Sequence, residues 1–283
     1  MEKCSICRKN KVIENLNFGQ QPVWHRFLIT PQEEYTHPIK MGQCHNCGTV
    51  QLIDLISVSE LKPRFDWLTC TEPEAHLDQL VETLSKLPGI TNDSKICGIS
   101  FKDDSTLERF NKLGFMHTWR VEPKNELGLN GFQSSVESLQ ERINLESAAL
   151  LTSIHGKSDI VLVRHILEHV YDFQTFLDAC KQLISPGGYV VFEIPDCGNA
   201  FSQFDYTTVW EEHTLYFTSE TFRNCFTWGG LNLVYFETIE YPIEDSHIGI
   251  AQLHENPDES LLDELVLNQE IQRIQKFTQE FSK

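Results

Sequence analysis

Two C-x-x-C pairs carry the clearest chemistry in the chain: Cys4 and Cys7 in KCSICRK, and Cys44 and Cys47 in QCHNCGT. Each pair can close a tight turn that aims two thiolates at one ion, and two such turns complete the tetrahedral four-sulfur shell that zinc favours. A redox dithiol needs only one pair, so the spacing predicts a structural zinc on Cys4, Cys7, Cys44 and Cys47. A closed shell of four thiolates leaves no open position, so this metal would hold a module together and not catalyse. His45, inside the second pair, is expected in solvent.

The second group is histidine and glutamate. His165 and His169 stand four apart in RHILEH, and Glu212 and His213 are adjacent in WEEHTLYF. Histidine titrates near neutrality and a neighbouring carboxylate can orient it or bind hydroxyls, which suits general-base work. On one helical turn His165 and His169 would face the same way; no third metal ligand is evident beside them, and the cysteines already account for a metal. Glu168 reads as a helix-start carboxylate interacting with the dipole.

These residues need a scaffold, and the stretch from Asp159 to Asp196 supplies it. Asp159–Val163 is a short continuous apolar run, expected as a buried strand; Phe173–Ile184 repeats its apolar residues at helical spacing. Pro186, Gly187 and Gly188 end that helix and turn the chain, and Tyr189–Ile194 is a second buried strand. Strand, helix and strand in this order predict a parallel sheet with helical crossovers, whose carboxyl edge is where such sheets place ligands. Upstream, Pro73–Leu87 reads as an amphipathic helix, Lys95–Ser100 as a first strand, Asp104–Leu113 as a helix and Met116–Val121 as a second strand. A short, polar third strand is expected near Phe132–Val136. Downstream, a helix over Phe222–Trp228 ends at Gly229-Gly230, strands follow at Leu231–Thr238 and Ile248–His254, and Leu261–Phe281 is an amphipathic helix. An exposed apolar stripe on that last helix would favour a homodimer.

At 283 residues the chain can hold one large and one small unit. Lys and Arg total 23 against 41 Asp and Glu, a formal charge of −18, with no basic run to offset it. Such a surplus repels phosphate backbones and anionic membranes, which argues against nucleic acid or membrane partners. No secretion signal or spanning segment is apparent, and nine cysteines with two close pairs suit a reducing compartment, so the expectation is cytoplasmic.

The order hydrophobic strand, H-x-x-E-H, helix, P-G-G, strand, E-x-P-D resembles the fourth and fifth strands of class I, Rossmann-like S-adenosylmethionine-dependent methyltransferases. The N-terminal pairs, with LNFGQQP, RFL and CGTVQL around them, are similar to the zinc-binding domain that precedes the catalytic domain of sugar C-methyltransferases, and EHTLYF resembles their E-H-x-x-Y-F motif. The resemblance implies a mostly parallel α/β sheet with an antiparallel last strand, behind a small Cys4 domain. It implies units at 1–60 (zinc), 61–256 (methyltransferase) and 257–283 (C-terminal helix). It implies S-adenosylmethionine as cofactor and a nucleotide-linked or otherwise activated sugar as substrate.

Site residues follow from the same resemblance. Glu122, after the second strand, would accept the cofactor's ribose hydroxyls, with Pro123, Gly98, Ser100 and His165 also on the cofactor side. His213 would be the base, with Glu212 and His169 beside it. Trp210, Tyr206 and Tyr216 would contact substrate. Two departures stand out. The loop after the first strand, C-G-I-S-F-K-D-D-S, keeps Gly98 alone where the family carries a glycine-rich run, so side chains of Ser100, Lys102 or Asp103 would have to contribute contacts, or the cofactor binds weakly or not at all. Trp210 stands where the family tends to have a tyrosine, so a donor to a developing enolate is lost unless Tyr206 replaces it, and methylation of oxygen or nitrogen stays open beside carbon. A non-catalytic protein binding a sugar nucleotide or a partner enzyme is the alternative.

Overall fold

The computed structural model describes residues 3–9, 11–24, 26–62, 72–130, 135–253, 262–281 and 283. The chain begins with three antiparallel strands, β1 (Val12–Pro22), β2 (Thr36–Cys44) and β3 (Val50–Ile53), in the register Val12↔Cys44 and Gln43↔Val50. Their alternation in the sequence is short, Leu16-Asn17-Phe18, Ile39-Lys40-Met41 and Val50-Gln51-Leu52. Next come α1 (Val58–Leu61), α2 (Leu77–Ser85), β4 (Lys95–Gly98), α3 (Asp104–Lys112), β5 (His117–Arg120), α4 (Pro123–Glu126), α5 (Val136–Arg142), α6 (Leu145–His155) and β6 (Ser158–Arg164). The remainder is α7 (Phe173–Leu183), β7 (Ile184–Pro195), α8 (Gly198–Gln203), β8 (Leu215–Tyr216), α9 (Ser219–Trp228), β9 (Leu231–Ile239), β10 (Ser246–Leu253) and α10 (Glu264–Phe281).

The main sheet has the order β5-β4-β6-β7-β10-β9. Its first four strands are parallel, and β10 runs antiparallel to both neighbours. Buried residues line both faces, which is why β6 reads as an unbroken apolar run. On one face Ile96, Ile160, Leu162 and Val191 meet Leu80, Leu84 and Phe110 of α2 and α3. On the other, Val161, Val163 and Phe192 meet Phe173, Phe176 and Leu177 of α7 and Phe222 and Phe226 of α9. Truncating a core ring such as Phe176, 1% exposed, would cost about 3–5 kcal/mol.

The Pro186-Gly187-Gly188 turn is absorbed into the edge of β7. Ser158 pairs with Ile184 and Ile160 with Tyr189, so Ser185–Gly188 loop out of the ladder as an irregularity. Gly187 has φ +79°, and a Cβ on Gly188 would lie 2.8 Å from the Asp159 carbonyl oxygen; both positions require glycine.

The expected third strand is corrected. Residues 131–134 lie outside the described residues, while Ser135 is the N-cap of α5 and Val136 its first residue.

Among the described residues, β8 and α10 help to stitch the N-terminal sheet to the rest. β8 pairs with β3 (Val50↔Tyr216), adding a fourth strand. α10 turns its apolar stripe inward: Ile274 and Phe277 are buried with Phe201 and Tyr206, and the Gln43 amide donates to the Glu270 carbonyl at 3.1 Å. No described helix is long and apolar enough to cross a membrane.

Candidate functional site

The four N-terminal cysteines converge. Cys4 and Cys47 Sγ are 3.6 Å apart, as are Cys7 and Cys44 Sγ, and all four sulfurs lie within 4.8 Å of one another. Sulfurs 2.3 Å from a tetrahedral zinc would be separated by about 3.8 Å, so the donor set and its spacing fit the ion. The turns are built by backbone bonds, Arg8 N–H to Cys4 O and Gly48 N–H to Cys44 O, while β2 delivers Cys44. His45 is half-buried outside the cluster.

The residues expected on the cofactor side lie at the carboxyl ends of β4, β5 and β6. After β4, the Asp103 carboxylate, fully buried, accepts the N–H groups of Ile99 (2.8 Å), Ser100 (2.9 Å) and Arg164 (3.1 Å). Burial pushes Asp103 up from 3.8 to about 7 in spite of those donors and the Arg164 guanidinium. A Cβ on Gly98 would meet the Asp103 Cβ at 2.8 Å, so this glycine serves the close approach of Asp103. Ser100 turns its hydroxyl to the Lys102 N–H. Lys102 in turn pairs with Glu72 at 2.9 Å.

Glu122 caps α4, exposed, and no described side chain bonds its carboxylate; Pro123 behind it is buried as the first residue of the helix. An exposed, acceptor-only carboxylate at this edge suits two ribose hydroxyls. At the ribose end the residues therefore fit S-adenosylmethionine; past Gly98, contacts must come from side chains.

His165 is not where its spacing put it. It adopts φ +50°, and only Leu167–His169 form a short 3-10 turn, so His165 and His169 do not share a helical face. The His165 ring is buried, with Nε2 3.2 Å from Glu193 Oε1 and Nδ1 3.5 Å from Glu168 Oε1. Burial opposes its charge, but Glu193 and Glu168 raise it to about 10. Glu193 also bonds Arg164 Nε at 2.5 Å and lies 3.2 Å from His76 Nε2. Burial works against it too, yet the charge of His165, hydrogen bonds from His165 and His76, and the Arg164 guanidinium hold it well below the ordinary carboxylate range. Glu193 is the Glu of the E-x-P-D motif, whereas His76 carries no signal in the sequence that sets it apart. Glu168, expected at a helix start facing the dipole, is instead 2% exposed between the two histidines.

His169 and His213 do meet, edge to face, with ring centres 4.7 Å apart. The His169 Nδ1–H donates to the Glu212 carbonyl at 3.1 Å. Burial, then the charges of His169 and His165, hold His213 well below its ordinary value, so its ring is neutral. Trp210 packs on His213 at 4.8 Å, and Trp24 packs on Trp210 at 5.6 Å. The Trp24 N–H donates to Glu211 at 2.7 Å, which brings the N-terminal sheet to this wall. The only sequence signal for Trp24 is its place two residues after the Q-P motif.

Two expected substrate contacts are corrected. Tyr216 is 1% exposed; its hydroxyl donates to the Trp210 carbonyl at 2.9 Å and accepts the Trp210 N–H at 3.2 Å, fixing the turn that carries His213. Tyr206 donates its hydroxyl to the Phe277 carbonyl at 3.0 Å and packs on Phe277 and Phe281 of α10, so its phenol is directed away as a replacement for the missing tyrosine.

A family model described as "Putative zinc binding domain" matches residues 4–61, and one described as "Methyltransferase domain" matches residues 78–235. Among curated proteins, the chain is 20% identical to the C-methyltransferase NovU of Streptomyces niveus over 245 residues, 85% of this chain and 58% of that protein. It is 33% identical to the ubiquinone biosynthesis O-methyltransferase of Colwellia psychrerythraea over 72 residues, 25% of this chain and 28% of that one. The chain thus spans less than two thirds of the length of either relative. Among solved structures, the Burkholderia thailandensis 1,6-didemethyltoxoflavin-N1-methyltransferase aligns with a TM-score of 0.43 at 12% identity, covering 64% of this chain and 80% of that one. The Synechocystis magnesium protoporphyrin IX methyltransferase aligns with a TM-score of 0.41 at 12% identity, covering 66% and 90%.

Proposed function

From the premise that this chain belongs to the methyltransferase family matched over residues 78–235, with the class I sheet, we propose that it methylates an activated, nucleotide-linked sugar, at carbon. The NovU likeness supports the carbon acceptor, and the resemblance of EHTLYF to the E-H-x-x-Y-F motif supports the sugar. The observation that carries the reading is the His169–His213 contact at the carboxyl edge of the sheet, with His213 held neutral. We assign units at 1–60, 61–256 and 257–283 to zinc, to methyl transfer and to a closing helix.

S-adenosylmethionine, when bound, supplies an electrophilic methyl group. Glu122 receives its ribose hydroxyls, beside Pro123, and Gly98, Ser100 and His165 line the remaining contact. His213 takes the proton from the acceptor, since a buried neutral imidazole can accept one without first losing one. His169 is oriented by the Glu212 carbonyl and stands edge-on to receive or share that charge. The Glu212 carboxylate holds acceptor hydroxyls. Trp210 and Trp24 present a stacking wall for a sugar or base. Alignment of acceptor and methyl at this edge supplies much of the rate.

One observation favours a second reading, a non-catalytic binder of a sugar nucleotide: Asp103 takes up the backbone donors after β4. The test is transfer of isotopically labelled methyl from S-adenosylmethionine to a panel of nucleotide sugars, followed by mass spectrometry. Labelled product that disappears in His213→Ala supports the enzyme; unlabelled sugars with all acceptors sink it.

A further inference from the structure

The buried carboxylate of Glu168 is the least satisfied charged group in the site. Its Oε1 lies 3.5 Å from His165 Nδ1 and 4.0 Å from His169 Nε2, while its Oε2 is buried and has no hydrogen-bond partner. An ionised oxygen left bare inside a protein costs about 1–3 kcal/mol or more, so a structure that keeps one there invites a cation.

What surrounds it is a ligand set. Glu168, His169 and His213 each offer one ligand atom, and these atoms lie within 4.8 Å of one another. His169 donates Nδ1–H to the Glu212 carbonyl, the outer-shell arrangement that fixes the tautomer of metal-bound histidines and leaves Nε2 free to ligate. The two segments are locked together beneath the cluster: the Thr214 N–H donates to the Glu168 carbonyl at 2.7 Å, and the Thr214 hydroxyl to the Val170 carbonyl at 2.7 Å. Donors 2.0–2.2 Å from an ion would be separated by about 3.4 Å, so side-chain rotations of about 1 Å close the set.

We propose that Glu168, His169 and His213 form a second metal site, for a divalent transition cation of the zinc type, open at a further position. Two imidazoles and one carboxylate suit zinc, cobalt or ferrous iron more than magnesium or calcium, which take oxygen ligands. The sequence hid it because the metal pair suggested by spacing was His165 and His169. His165 turns instead to Glu193, and the third ligand arrives from the strand-proximal turn before β8. The open position distinguishes this site from the closed cysteine cluster, and an ion here can accept an oxygen of a bound acceptor. The site is the one assigned above to acceptor deprotonation; a ligated His213 has no lone pair for a proton, so metal and base function exclude each other in one molecule.

The test reads metal and not activity, which keeps its failure distinct from failure of the methyl-transfer reading. Metal content of the full chain as purified is measured after equilibration with Zn2+ and gel filtration, then Zn2+ is titrated against a chromophoric chelator. Wild type should take an equivalent beyond that held by the cysteines. Glu168→Gln and His213→Ala, both checked for fold by circular dichroism, should lose it by more than the about 10–100-fold that loss of an outer-shell partner costs. Co2+ in the same site should give weak visible bands without thiolate charge transfer. No added equivalent in wild type, or its retention in a folded His213→Ala, overturns the proposal.

Discussion

Two turns on the same carboxyl edge, the one after β4 and the one after β6, begin alike and end differently. Each leaves a buried parallel strand and enters a short 3-10 turn. After β4 the turn is closed by its own side chains, Asp103 and Ser100 saturating the backbone donors. After β6 the turn is left open: Glu168 keeps a bare oxygen, and His169 and His213 meet edge to face. Where a loop satisfies itself, a ligand must be held by side chains; where it does not, the unsatisfied groups mark the chemistry.

The largest expected effect breaks the open turn. His213→Ala should lower kcat about 10²–10⁴-fold, the usual contribution of a positioned base, while the thermal midpoint stays close to wild type. A comparable fall in stability would make His213 a packing residue. Next is the closed turn: Asp103→Ala orphans three buried N–H groups at about 1–3 kcal/mol each, a fall in Tm that differential scanning calorimetry would register.

The pH dependence sharpens the same contrast. Asp103 binds its proton more tightly folded than unfolded, so wild-type stability carries a term that is full below about 4 and is lost as pH rises to about 7. Asp103→Asn lacks that term. Its deficit against wild type in urea unfolding should therefore shrink from pH 4 to pH 7, by on the order of 1–4 kcal/mol. A deficit that grows with pH would show Asp103 stabilised as the anion.

Smallest is Ser100→Ala, which removes the bond to the Lys102 N–H and should cost about 1 kcal/mol, read as a small fall in Tm.

The sheet was legible because its strands are buried on both faces and its helices carry period-3.6 stripes: β4, β6 and α7 fall within a residue or two of where apolar runs placed them, and β7 takes in Tyr189–Ile194 but begins earlier, at Ile184, with Pro-Gly-Gly inside it. The cysteine cluster was legible because two matched C-x-x-C pairs supply a complete tetrahedral shell for one ion, with no ligand left to find elsewhere. The region around the histidines was less so. Local spacing cannot report that His165 would take a left-handed backbone, that Tyr206 would bond to α10, or that Tyr216 would pair with β3. These are decided by contacts between distant segments, as is the meeting of Trp24 with Trp210.

The central claim is that the closed turn still admits the cofactor through side chains and Glu122. Isothermal titration of S-adenosylhomocysteine into the full chain, beside Glu122→Ala, tests it most directly. Saturable binding by wild type that weakens about 10-fold or more in Glu122→Ala is the predicted result, each tenfold being about 1.4 kcal/mol. No heat of binding at millimolar ligand would contradict it.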